Sequence, residues 1–418
     1  MTDGFYLPNQ SQEPTADYQI PTPHLSSSFR MRTSRQPEPF LRFCQEHQPQ
    51  LLSILKQAVE LESPSDNKPA VDRCGQYLGA EFERLGARVT FDRQNDAGNH
   101  LRAEFPGRSG AKPLLLLGHF DTVWPLGTLA NMPFRIDTGS GRVYGPGVLD
   151  MKAGIVMMMF ALEALRAADG GNASHRPVVV LLDTDEEVGS VTGRPLIEAA
   201  ARQSEAVLVL EPAQGLEGAL KTARKGVGDY TVRVRGRAAH AGVDFEKGRS
   251  AIVELSRQVL EIAKFTDVSR GITVNPGVIQ GGTRTNVIAA EAWVEVDIRV
   301  AWAADAAELE QKFLGLRVFD PECRLEVTGG LNRPPMERTE GTVRLFRLAQ
   351  EQGKKLGMSF NEAATGGGSD GNFTSALGVP TLDGLGGVGE GAHATHELIL
   401  LEELPRRTAL LAGLIQSV

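Results

Sequence analysis

"LLLLGHFDTV", residues 114–123, is an apolar run that breaks at a histidine and, two residues later, at a carboxylate. An uninterrupted apolar stretch of this length reads as a strand buried on both faces, as in parallel sheets covered by helices on each side. Alternate strand residues share a face, so His119 and Asp121 project the same way from its C-terminal end. In open α/β sheets that end is where ligands bind. A carboxylate behind such a histidine fixes its tautomer and raises its basicity, which suits a metal ligand.

The same texture recurs downstream in "PVVVLLD" and "AVLVLEP", separated by helix-like segments such as "KAGIVMMMFALEALRAA" and "GRPLIEAAARQ". The alternation predicts an α/β fold, a mostly parallel sheet flanked by helices. Between about Leu216 and Gly330 the pattern switches to alternating strands, "DYTVRVRGRAAHAG" and "AWVEVDIRV", around one long helix near "RSAIVELSRQVLEIAKF". This predicts an inserted α+β domain over 216–330. The tail, with a helix, a short strand at "VPTLDGLG" and a closing helix, then completes the first domain, made of 40–215 and 331–418. No repeat of fixed period is present.

Residues 1–39 are rich in Pro, Ser, Gln and Thr and lack the apolar core of a signal peptide, so a disordered leader is expected, with Met31 as an alternative start. The 418 residues, 41% of them hydrophobic, allow a large core and more than one domain. A net charge of -8 arises from interspersed residues with no basic run, which argues against nucleic acid as a partner. No stretch reaches membrane-spanning length. Cys44, Cys74 and Cys323 lie far apart without CxxC spacing, which points to a reduced, cytoplasmic chain.

Other predicted strand ends also deliver carboxylates: "LLDTDEE" brings Glu186 and Glu187, "VLEP" brings Glu211, and "GPGVLDMKAG" presents Asp150 before a helix. Taken singly these are a helix cap, a solvated pair and an edge charge. Gathered with Asp121 at one sheet edge they would repel strongly unless cations hold them. Two divalent ions would be neutralised by three ligand carboxylates and a hydroxide, with histidine ligands neutral. A second histidine is available in "GEGAHATHE", as His393 or His396.

The ordered set "GHFDT", "GPGVLDMKAG", "DTDEEVGS", "LEP", "AAHAG", "GGGSD" and "GAHATHE" resembles the two-zinc amidohydrolase family of carboxypeptidase G type glutamate carboxypeptidases, aminoacylases and succinyl-diaminopimelate desuccinylase. The likeness covers nearly everything after the leader. It implies two divalent ions per chain, zinc or else cobalt or manganese. One ion would be held by His119, Asp150 and Glu211, the other by Asp150, Glu187 and His393, with a cis peptide between Asp150 and Met151. His393 is preferred to His396 because the family places its ligand four residues before a glutamate, here Glu397. Glu186 matches the general base, and adjacent strand-end carboxylates tend to diverge, so one can bind metal while the other faces the water.

The resemblance further implies that His240 stabilises the oxyanion in the partner subunit's site, making the inserted domain a dimerisation lid and the enzyme a homodimer. Asn286, Arg299 and Arg333 match positions that contact substrate, and an arginine fork suits a terminal carboxylate. "TGGGSDGNF" could present N–H groups to an anion or be only a turn, with Asp370 capping the next helix. Met151 departs from the aspartate frequent in the glutamate carboxypeptidases. The expected function is a metal-dependent amide hydrolase that releases a C-terminal amino acid from a peptide or N-acyl substrate, glutamate carboxypeptidase-like. Aminoacylase or other N-acyl amino acid amidohydrolase activity is the alternative. A non-catalytic, metal-stabilised binding or dimerisation protein is the rival of another class. Glu186 argues against it, since a binding protein has little use for a free base at such a site.

Overall fold

The computed structural model describes residues 38–170 and 175–418. The expected leader, apart from its last two residues, and the alternative start at Met31 lie outside the described residues. The central sheet has six strands in the order Arg88–Asp92, His100–Phe105, Val178–Asp183, Leu114–His119, Ala206–Val209 and Thr381–Leu382. The last four run parallel, and the first two form an antiparallel edge. Every residue of Leu114–His119 and of Val178–Asp183 is buried, because helices cover both faces.

One face packs on Ala153–Ala168 and Glu403–Ser417, together with the N-terminal helices that run from Pro39 to Arg84. The other face packs on Arg194–Gln203 and Gly371–Ala376. The helix Ala153–Ala168 is apolar nearly all round, as a helix enclosed by neighbours must be. At its start Gly154 lies so close to the sheet that a Cβ there would meet the Leu210 carbonyl oxygen at 2.2 Å. That close approach brings the loop before the helix, which contains Asp150, beside Glu211. The Asp150–Met151 peptide is cis.

A second, four-stranded antiparallel sheet has the order Thr273–Gly281, Glu291–Val300, Gly226–Arg235 and Arg324–Arg333. Its two central strands, Glu291–Val300 and Gly226–Arg235, alternate buried and accessible positions, and only the inner face packs on the helices Ala251–Ala263 and Ala303–Leu314. Tyr230 stacks on Phe313 at 3.9 Å inside that layer. The limits expected at 216 and 330 do not coincide with this sheet. The strand Leu220–Arg224 pairs in parallel with Glu362–Thr365, and Lys221 bridges Asp383, so the chain still belongs with the tail up to Arg224. At the far end the antiparallel pairing continues to Arg333. Both differences arise from partners far along the chain, which local texture does not encode. Among the described residues, no helix is long and apolar enough to cross a membrane.

Candidate metal centre

His119 is the last residue of Leu114–His119 and is buried. Its Nδ1 lies 3.1 Å from the Asp121 carbonyl oxygen and 3.3 Å from Asp121 Oδ1. Its Nε2 is left to face Asp150 Oδ1 at 3.2 Å and Glu211 Oε1 at 3.5 Å. Asp150 turns its other oxygen to His393 Nε2 at 3.5 Å, and that nitrogen lies 3.1 Å from Glu187 Oε2. Two groups of ligand atoms result, His119, Asp150 and Glu211, and Asp150, Glu187 and His393. Within each, all atoms lie within 4.8 Å of one another, and Asp150 belongs to both. His396 belongs to neither group.

The chain builds this cluster from loops tied to one another. Asp121 accepts from Ser65 Oγ at 2.7 Å and from the N–H groups of Glu186 and Glu187 at 3.3 and 3.2 Å. Asp121 thus couples the histidine to the turn that bears both glutamates. Glu397, fully buried, accepts from the N–H groups of Gly147, Leu149 and Asp150 and from Trp124 Nε1. Glu397, which the sequence marks only as the glutamate four residues after His393, thus fixes the Asp150 loop. Its signal was present in the last letter of "GAHATHE". His393 sits in the same glycine-rich turn with φ +61°.

The electrostatics match a cation site. Burial would push the His119 imidazole down, but Asp121, Asp150 and Glu211 around it hold it well above the usual range. Asp150 and Glu187 draw His393 up to about 10. Burial pushes the carboxyls of Glu186 and Glu187 up. Histidine nitrogens and carboxylate oxygens in two sets of three, one carboxylate shared, are a fitting donor set for two divalent ions.

Glu186 stands apart from both groups, with Oε1 2.9 Å from Arg333 Nη2. It lines a cleft of about 400 Å³ with Glu187, Arg299, Asn332, Arg333 and Gly368. Arg299 reaches this cleft but is paired with Asp297 at 2.7 Å. Arg333, expected to bind a substrate carboxylate, is turned instead onto Glu186 and Asp370, because its strand ends against the glutamate turn. His240 and Asn286 are exposed and adjacent on the second sheet's loops, where Ala241 N–H donates to the Asn286 carbonyl at 3.0 Å and His240 bridges Val287. The donor groups gather without either of them. Ser190 and Arg224 also belong to this edge, although no local pattern in the sequence marks them. Arg224 lies 3.8 Å from Glu211 and 2.7 Å from Asp383, and also donates to the carbonyls of Gly367 and Gly368.

Residues 115–417 match the model of peptidase family M20/M25/M40. Carboxypeptidase G2 of Pseudomonas sp. (strain RS-16) is 31% identical over 384 residues, covering 89% of this chain and 90% of that protein. Succinyl-diaminopimelate desuccinylase of Stenotrophomonas maltophilia (strain R551-3) is 26% identical over 88% of this chain and 99% of its own length. An M20 family metallo-carboxypeptidase from Sulfolobus solfataricus shares the fold with a TM-score of 0.68 at 18% identity, over 88% of this chain and 98% of that one. The motifs, the mostly parallel sheet and the match across most of its length place this chain in peptidase family M20/M25/M40.

Proposed function

We propose that this chain is a two-metal amide hydrolase that releases a C-terminal amino acid, with glutamate carboxypeptidase-like activity. One observation carries the reading: a half-buried carboxylate, Glu186, lines the cleft beside two donor groups that share Asp150. His119, Asp150 and Glu211 would hold one ion, and Asp150, Glu187 and His393 the other. Zinc is the first choice, and cobalt or manganese suits the same donors. Such ions, when bound, acidify water and polarise the amide carbonyl.

Asp121 keeps the proton on His119 Nδ1 and leaves Nε2 as the donor atom. Glu186 takes a proton from the attacking water and delivers it to the leaving nitrogen, so that one water is consumed and an acid and an amine are released. His240 acts from the inserted domain on the partner subunit's site in a homodimer by stabilising the oxyanion, and Asn286 contacts substrate. The exposed Ile252, Val253 and Leu260 on one helix and Val278 and Ile279 on the edge strand support such an interface. Arg299 captures the substrate carboxylate by exchanging it for Asp297. The buried free thiols Cys44, Cys74 and Cys323 agree with a reducing, cytoplasmic setting.

The similarity to carboxypeptidase G2 supports the carboxypeptidase reading. The similarity to a desuccinylase favours, as the second reading, hydrolysis of N-acyl amino acids. The test is metal content per chain with hydrolysis of p-aminobenzoyl-glutamate, N-acetyl amino acids and dipeptides, for wild type and Glu186→Gln. Two ions per chain and turnover lost in the variant are expected. Wild-type turnover in Glu186→Gln, or no bound metal in replete buffer, would sink the proposal.

A further inference from the structure

We infer that Arg333, Asp370 and Ser190 form a positioning network that holds the Glu186 carboxylate, and that Arg333 does not serve as a substrate contact. The inference rests on the reading of Glu186 as the base. Arg333 closes the strand Arg324–Arg333 where the antiparallel sheet meets the glutamate turn, and it is 7% exposed. Its Nη2 lies 2.9 Å from Glu186 Oε1, 3.0 Å from the Glu186 carbonyl oxygen, 2.8 Å from Ser190 Oγ and 3.2 Å from Asp370 Oδ1. Nη1 donates to Asn332 Oδ1 at 3.2 Å, and the Phe373 ring lies 5.4 Å from the guanidinium carbon. A fork engaged on these sides has little left for the bidentate capture of a free carboxylate.

The rest of the turn is built to keep this contact. Ser190 is fully buried and has φ +54°. Among the described residues it shares positive φ, outside glycine, only with His393. Such backbone is unfavourable for a residue with a side chain and persists where its surroundings impose it. Here it sets Ser190 Oγ to donate to Asp370 Oδ1 at 2.5 Å while accepting from Arg333. Asn332, next to Arg333, donates to the Gly189 carbonyl at 3.1 Å, and Arg194 donates to the Asn332 carbonyl at 3.1 Å. The second sheet thereby clasps the turn that carries Glu186. A general base acts only within hydrogen-bond reach of its proton, and a displacement of about 1 Å can cost about 100-fold in rate.

The test is steady-state kinetics of Arg333→Lys, Ser190→Ala and Glu186→Gln with p-aminobenzoyl-glutamate, together with metal content and a crystal structure of each variant. In Arg333→Lys, kcat is expected to fall by about 100-fold and KM to change by less than about threefold, with metal content as in wild type. Ser190→Ala, which removes a smaller group and guards against a misfolded arginine variant, is expected to lose about tenfold in kcat. Crystals of both should show the Glu186 carboxylate displaced and the two donor groups in place. Wild-type kcat with a KM raised more than about tenfold in Arg333→Lys would make that residue the substrate contact and overturn the network. An unmoved Glu186 in those crystals would overturn it also, and this readout decides if the probe is not hydrolysed. The reading of Glu186 fails separately, through wild-type turnover in Glu186→Gln.

Discussion

The two sheets handle polar residues in opposite ways. In Leu114–His119 and Val178–Asp183 both faces are covered, so polar side chains gather where those strands end. In Gly226–Arg235 and Glu291–Val300 one face is open, so polar side chains appear at every second position. A sheet covered on both faces concentrates charge at its edge, where carboxylates converge on a shared volume and invite cations. A sheet covered on one face spreads charge over a surface that can meet another molecule. The difference explains why His119, Glu187 and Glu211 stand at or just after the ends of covered strands, while His240 and Asn286 sit exposed on loops of the second sheet.

The comparison breaks most severely at Asp150. Replacing it with alanine removes the member common to both donor groups, and turnover should fall by more than about 1,000-fold with loss of bound metal. Metal analysis with the activity assay checks this. Two retained ions would mean that the shared carboxylate is not what holds the edge together.

His240→Ala tests the second part. Turnover should drop by about 100- to 1,000-fold, as for loss of an oxyanion donor, with metal content unchanged. A mixture of His240→Ala with Glu186→Gln subunits should recover activity in mixed dimers, because one site of each hybrid is then complete. No recovery would confine each active site to a single chain.

Stability should divide along the same line. Leu116→Ala, buried between covering helices and neighbouring strands, should cost about 2–5 kcal/mol in denaturant unfolding. Arg235→Ala, on the open face with its ion partners Glu291 and Glu326 at 3.7 and 3.8 Å, should leave the unfolding midpoint unchanged. A large effect at Arg235 would show that the open face is buried in the assembled enzyme.

Local patterns were sufficient for much of this. The apolar runs, the carboxylates at their ends and the switch to alternation after the first part are short-range signals set by strand period and burial. The α/β class could therefore be read directly, while the grouping of His119, Asp150, Glu187, Glu211 and His393 into two donor sets rested on the resemblance of the ordered motifs. The ends of the inserted region could not, because Leu220–Arg224 is claimed by the tail and Arg333 by the second sheet through long-range pairing.

By itself the sequence determined which strands are covered on both faces and which side chains stand at their ends, since both depend on neighbours within a few residues. Only the tertiary structure decided what those side chains do to one another. Glu397 braces Asp150 across 247 residues, and Arg333 reaches Glu186 across 147. Such contacts depend on how loops close in space, and an arginine that holds a base is written with the same letter as one that would hold a substrate.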